Sequence, residues 1–320
     1  MEIGYALSSE EHVPLDLVQH AKLAEEAGFT FALVSDHFHP WIDRQGQSPF
    51  VWSVIGAIAA ETTSLRLGTG VTCPTIRIHP AIVAQAAATS AAMMSGRFFL
   101  GVGTGENLNE HILGDRWPSA DERQEMLREA IEVMRGLWEG ELYSFEGDYY
   151  VVDNARIYTL PDREIEVAIA AGGSEAAALA GEIGDALVST APEKELVEAY
   201  ARAGGDGPRY GQLTVCWAET EGEARRRAFE WWPNAGLKGP LSGASAAEPL
   251  RGGRGDGDGG RRCRRGLLRA GPGRAPRRHR DVRGRRLRSR LRSPGRARSG
   301  RVHRLLRARD HLRGERADAA

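Results

Sequence analysis

FALVSDHFHPW, residues 31–41, is the stretch on which the fold turns. Four apolar residues run directly into an acid, two histidines, a proline and a tryptophan, with Asp36 and His37 at the junction. A core packs that mixture poorly, and a surface loop rarely needs it. Both halves are at home where a strand buried on two faces ends at the rim of a parallel sheet. In a barrel, the polar residues at such C-terminal strand ends face the active-site mouth.

The pattern recurs on either side. EIGYAL (2–7) reads as a strand and PLDLVQHAKLAEEAGF (14–29) as a helix, with Leu17, Val18, Ala21, Ala24 and Ala27 at helical spacing and Gly28 closing it. After FALVSD (31–36) come a helix over 48–62, the strand LRLGTGV (65–71), a helix over 79–94, the strand RFFLGVGTG (97–105) and a helix over roughly 119–138. LYSFEGDYYVVDNARIYTL (142–160) predicts a hairpin around Glu146-Gly147-Asp148. The alternation resumes with IEVAIAA (165–171), a helix from Ser174 to about Ile183, DALVST (185–190), a helix from about Pro192 to Ala203, and the strand GQLTVCWAE (211–219). Seven apolar strands in series, separated by helices, predict an α/β chain of the (β/α)8 TIM barrel type. Gly101-x-Gly103-x-Gly105 lacks a third glycine at the spacing of a dinucleotide fingerprint, which disfavours a doubly wound sheet.

The strand ends supply the chemistry. The second gives Asp36, His37, His39 and Trp41, the third Thr72, Cys73 and Thr75, the fourth Glu106 and Asn109, and the fifth Gly172-Gly173 before a helix. Any one of these alone is ordinarily a capped strand end or a tight turn. Gathered at one mouth, a histidine and a glutamate can move protons on two sides of a bound molecule. A glycine pair opening a helix lets backbone N–H groups approach a phosphate.

Composition sets the bounds. With 320 residues, 41% of them apolar, the chain can bury a sizeable core. MEIGYALSSE lacks the basic and long apolar regions of a signal peptide, and no run of apolar residues is long enough to span a bilayer, so a soluble cytoplasmic protein is expected. Cys73, Cys216 and Cys263 are odd in number and widely spaced, which implies neither a disulfide framework nor a zinc site. The net charge of zero conceals two unlike parts. Residues 241–320 hold 25 Arg, no Lys and 7 acidic residues, a charge of +18, and residues 1–240 balance it with −18. The last 80 residues also contain no Ile, Phe, Tyr, Trp, Met, Asn, Gln or Thr, and a core cannot be built from that alphabet.

SDHFHPW, VTCPTIRIHPAIVAQ (71–85), FLGVGTGENLNEHILGDRWP (99–118), FEGDYYVVDNARIYTLP (145–161) and AIAAGGSEAAALAGEIGDALVST (168–190) resemble the luciferase-like oxidoreductases that use coenzyme F420. The nearest branch includes the F420-dependent glucose-6-phosphate dehydrogenases. The resemblance implies a luciferase-like barrel that transfers a hydride between deazaflavin C5 and a small alcohol, aldehyde or related substrate. It implies that His37 takes the hydroxyl proton, that Glu106 is the partner acid near the ring, and that Trp41 lines the substrate pocket and orients the carbinol. Asp36, Cys73 and Asn109 would touch the deazaflavin, and Gly172, Gly173, Glu175 and Ala176 its phosphate-bearing tail. A non-prolyl cis peptide under the ring would fall at Gly70–Val71, and Thr190 would meet the substrate. Where sugar-phosphate members carry a lysine shortly after that threonine, this chain reads Glu193 then Lys194, so glucose 6-phosphate is not assigned.

The resemblance ends near Leu241, where the eighth strand and its helix are still owed. Residues 1–240 are therefore expected to form an incomplete luciferase-like barrel domain, and 241–320 an Arg/Gly-rich disordered tail, out of frame with the rest. Arg, Gly, Ala, Leu, Pro and Ser are the residues written by G- and C-rich codons, as a G+C-rich gene read in the wrong frame would give. A barrel without its last strand leaves two edges unpaired, so the chain as written should fold poorly or bind cofactor weakly, and the homodimer expected of an intact version would be affected. Three rivals stand beside this reading: an FMN-dependent luciferase-like monooxygenase, a metal-dependent barrel hydrolase using His37-x-His39, and a nucleic-acid binder using the Arg-rich tail. Residues 112–240 contain no histidine to complete a metal site, and the tail has no aromatic residues to stack on bases.

Overall fold

The computed structural model describes residues 1–190 and 193–233. The tail expected over 241–320, and the place of any eighth strand, lie outside the described residues. In chain order the elements are β1 (Gly4–Leu7), α1 (Pro14–Glu26), β2 (Phe31–Val34), α2 (Val51–Glu61), β3 (Arg66–Thr69), α3 (Pro80–Met94) and β4 (Phe98–Val102). A short α4 (Asn107–Glu110) continues as a 3-10 turn and is followed by α5 (Ala120–Trp138), the hairpin β5 (Tyr143–Glu146) and β6 (Val151–Ala155), then β7 (Val167–Ala170). α6 (Ser174–Ile183), β8 (Ala186–Ser189), α7 (Lys194–Arg202), β9 (Arg209–Gly211) and α8 (Glu221–Trp231) complete the series.

Seven strands form one sheet in the order β1-β2-β3-β4-β7-β8-β9. Every neighbouring pair is parallel, so all C-terminal strand ends lie at one rim. The antiparallel pair β5–β6 stands apart as the expected hairpin, inserted between β4 and β7. This is the alternation of a (β/α)8 barrel, with seven of its strands among the described residues.

Two layers of apolar packing follow from the period of two along the strands. On β4 and β7, Phe98, Leu100, Val102, Val167 and Ile169 face the helices and join the large core with Leu17, Ile55, Val83, Ala87, Ile131 and Met134. The intervening Phe99 and Ala168 point the other way, into a second cluster with Ala186, Val188 and Tyr210. There the Phe99 and Tyr210 rings stack 5.0 Å apart. Gly101 sits where β4 passes the end of β3, and a side chain there would run into the Thr69 carbonyl oxygen.

The helices start where the sequence provides for it. Pro14 and Pro80 open α1 and α3, where the proline's missing N–H costs nothing. Ser119 caps α5 by accepting from the Glu122 N–H at 3.2 Å. Gly28, at φ +87°, turns the chain out of α1 toward β2.

Two sequence expectations are corrected. The strand expected at 211–219 is instead Arg209–Gly211, paired with β8 through Leu187↔Arg209 and Ser189↔Gly211. Beyond it Leu213, Val215 and Trp217 are exposed, since among the described residues no strand lies on their far side to hold them. α8 was not anticipated. It carries no apolar stripe and buries no residue, resting instead on the Arg225–Glu221 and Arg227–Glu223 pairs and a Thr220 cap. It docks on the loop after β2, where Gln45 Nε2 donates to the Trp231 carbonyl at 3.1 Å and Arg44 pairs with Glu230. Among the described residues no helix is long and apolar enough to cross a membrane.

Candidate active site

His37 sits one residue past the buried Asp36 at the end of β2, and four strand ends supply its surroundings. From the end of β1 comes Glu10, buried, with Oε1 2.5 Å from His37 Nδ1. The contact is a close ion pair, buried on the Glu10 side. The other Glu10 oxygen accepts from the Ser8 hydroxyl at 2.8 Å and the Ser35 hydroxyl at 2.9 Å. On the opposite side of the ring, Nε2 lies 4.0 Å from Glu106 Oε2, at the end of β4. That oxygen is buried and has no hydrogen-bond partner. The Trp41 ring packs edge-on to the imidazole at 5.1 Å, and the Ser48 hydroxyl fixes the His37 carbonyl at 2.6 Å.

The electrostatics follow from burial and pairing. Burial alone would raise Glu10, but its bond and charge interaction with His37 hold it down at about 2. For His37 burial works to lower the pKa, and Glu10 outweighs it, with Glu106 and Asp36 adding, so the ring is raised above the ordinary histidine range. Burial raises Glu106; the facing His37 opposes the rise without cancelling it, and Glu10 adds to it. The result is an imidazole anchored at Nδ1 and free at Nε2, opposite a carboxyl that holds its proton more readily than usual.

A second group of charges lies beneath. Asp36 Oδ2 accepts from the Thr72 hydroxyl at 2.8 Å, and Oδ1 from Arg77 Nη2 at 3.0 Å. Arg77 also reaches Glu110, whose carboxyl is raised by burial against the opposing pull of the guanidinium. Cys73 is buried beside Thr75, its thiol pushed up to about 12 by burial and by the nearby Glu110. The Gly70–Val71 peptide is cis, at the position the resemblance gives. Asn109 is buried, and its Oδ1 accepts from the Phe38 and His39 N–H groups at 2.9 and 3.0 Å, lashing the loop after β2 to α4.

The structure thus brings together His37, Glu106, Trp41, Asp36, Cys73, Asn109, Gly70 and Val71. Gly172, Gly173, Glu175, Ala176 and Thr190 lie at the ends of β7 and β8 on the same rim. Gly172 and Gly173 are exposed, with no atom near the position of an added side chain, and they open onto the N-terminus of α6. A hollow of about 370 Å³ between α6 and α7, lined by Ser174, Glu175 and Arg202, lies on this side and does not touch His37. Sequence reasoning missed Glu10, Arg77 and Glu110. Glu10 was open to the strand-end argument, since it follows β1 in ALSSE. Arg77 and Glu110 show in the sequence only as neighbours of Cys73 and Glu106.

A family model described as luciferase-like monooxygenase matches residues 1–289, further than the sequence resemblance, which ends near Leu241. The chain is 45% identical over 197 residues to the F420-dependent glucose-6-phosphate dehydrogenase of Mycobacterium avium, an overlap of 61% of this chain and 59% of that protein. It is 40% identical over 238 residues to the F420-dependent hydroxymycolic acid dehydrogenase of Mycobacterium tuberculosis, with 72% and 66% covered. Among solved structures it is similar to an F420-dependent secondary alcohol dehydrogenase in complex with an F420-acetone adduct. There the TM-score is 0.69 at 36% identity, over 73% of this chain and 74% of that one. The match thus spans 59% of the length of the first curated relative.

Proposed function

The chain belongs to the luciferase-like monooxygenase family, and from that premise we propose that it is an oxidoreductase using coenzyme F420 on a small alcohol, aldehyde or related substrate. The observation that carries the reading is His37 between two carboxylates, with Nδ1 on Glu10 and Nε2 4.0 Å from Glu106. When bound, coenzyme F420 supplies a C5 carbon that accepts or gives up a hydride. In its neutral form His37 takes the substrate's hydroxyl proton at Nε2, and Glu10 steadies the charged imidazole that results. Glu106, raised by burial, holds or releases a proton on the opposite side. Trp41 packs on His37 and walls the place where a carbinol would stand.

Two features fit the cofactor. The buried Glu106 Oε2 lacks a partner, and the Gly172–Gly173 backbone is open beside a helix N-terminus able to receive an anionic tail. Gly172, Gly173, Glu175 and Ala176 would hold that tail, with Gly70, Val71 and Cys73 at the ring and Thr190 at the substrate. Asp36 and Asn109 would touch the ring as well, Asp36 held there by Thr72 and Arg77 and Asn109 by the Phe38 and His39 N–H groups. The relatives' names share the oxidation of an alcohol, and Glu193 before Lys194 leaves the sugar phosphate unsupported.

Titrating F420 fluorescence with the 320-residue chain, alongside FMN, tests the reading. Saturable binding of F420 with weak or no binding of FMN is expected, and the reverse would favour the monooxygenase. His37→Ala should lower turnover by about 10² to 10⁴ while leaving F420 affinity intact; unchanged turnover removes His37 from the mechanism.

Residues 241–320 are, in the same proposal, an out-of-frame translation, although the family match runs past their start to residue 289. Their alphabet supports this, and the other two frames beyond codon 240 decide it: a strand–helix pattern with ordinary Ile, Phe and Val content supports it, and frames full of stop codons refute it. An intact version would be a cytoplasmic homodimer. Free Cys73 and Cys216 suit a reducing compartment.

A further inference from the structure

One cation joins three of the strand ends around His37. Arg77 comes from the loop after β3, and its side chain is 7% exposed between two carboxylates that are each 1% exposed. Its Nη2 donates to Asp36 Oδ1 at 3.0 Å and to the Asp36 carbonyl at 3.3 Å, both at the end of β2. Its backbone N–H donates to Glu110 Oε2 at 2.9 Å and its Nε lies 3.5 Å from Oε1, so it also grips α4, beyond β4. Asp36 adjoins His37 in the chain. Glu110 stands one helical turn after Glu106, to whose carbonyl its N–H is bonded at 3.1 Å. Burying three charges is costly, and apolar residues of similar volume would pack as well or better, so the triad is explained by the geometry it imposes.

We propose that Arg77 is a positioning residue of this site, holding the ends of β2 and β4 at the separation that sets His37 opposite Glu106. The proposal rests on those two residues being the acid–base pair. Asn109 ties the same two segments directly, through the Phe38 and His39 N–H groups. Arg77 adds the third side, from β3, and without it the end of β2 can turn about the Asn109 tie.

The test needs no cofactor, so its failure is distinct from failure of the F420 reading. His37 is faced by Glu10 from the end of β1, by Glu106 from the end of β4, and by Asp36 beside it, with Trp41 on its edge. Its titration is followed in the 320-residue chain by NMR of the histidine Cε1–H signals, and the shift caused by Glu106→Gln measures the coupling of the pair. In the native chain that substitution should lower the His37 midpoint by about 1 to 3 pH units, the usual effect of losing an opposite charge at this range. In an Arg77→Met/Glu110→Gln background, which removes the guanidinium without leaving two facing carboxylates, the drop should fall below half its native size. Arg77→Lys, which keeps the charge but loses the two-ended fork, should weaken it as well, and serves if the double variant does not fold. An equal drop in native and altered backgrounds overturns the proposal, and so does a loss of stability with the coupling intact.

Discussion

Replacing Glu10 by Gln isolates the charge from the shape of the contact on His37 Nδ1. The Glu10 carboxyl is held at about 2, below an ordinary 4.5. At about 1.4 kcal/mol for each tenfold change in protonation, that depression corresponds to about 3 kcal/mol, an order-of-magnitude figure. A carboxylate depressed on folding contributes above its unfolded pKa and loses that contribution as pH falls through the folded one, so the native advantage over Glu10→Gln should be full above about pH 4.5 and fade toward pH 2. His37 works in the opposite sense. Its raised pKa contributes below the unfolded value and is lost as pH rises through the folded one, so the advantage should also shrink on the alkaline side. Urea midpoints of the two chains at a series of pH values would trace this bell, and the NMR signal of His37 should titrate lower in the variant. A midpoint difference that stays constant from about pH 7 down to about pH 2.5 would refute the depression of the Glu10 carboxyl.

Gly101→Ala should cost about 3 kcal/mol or more in urea, since the new methyl would meet the Thr69 carbonyl, whereas Gly172→Ala, in open space, should stay within about 0.5 kcal/mol and weaken only F420 binding. A neutral Gly101→Ala would contradict the close approach of β4 to the end of β3. Iodoacetamide at neutral pH should label exposed Cys216 in the folded chain and reach Cys73 only after denaturation, because the Cys73 thiol is buried and pushed up to about 12. Equal labelling rates by mass spectrometry would count against that burial.

The strand-and-helix alternation was legible because strands buried on both faces and helices with one apolar stripe leave different periods in the sequence. FALVSD, RFFLGVGTG and DALVST all hold paired strands where their apolar runs predict them. GQLTVCWAE misled because apolar alternation measures what a strand could bury, while pairing needs another strand alongside; only Gly211 of that stretch is paired, with β8. His37 and Glu106 could be read as partners because strand ends converge in a barrel, and they are 4.0 Å apart across 69 residues of chain. Their supports could not. Glu10 and Arg77 become recognisable only when the chain closes on itself, since nothing local marks one acid after β1, or one arginine after β3, as more than a solvated charge.

The sheet order carries a consequence for how the molecule assembles. From β1 to β4 each strand pairs with the one immediately before it in the chain, and the groups at the centre, Glu10, His37, Arg77, Glu106 and Glu110, all fall within the first 110 residues. A nascent chain can therefore dock each strand on the one before it, closing one helical crossover at a time, and every residue named around His37 is in hand before the hairpin is synthesised. A change of sequence beyond β7 therefore falls first on the Gly172–Thr190 side of the rim and leaves the residues that surround His37 as they are.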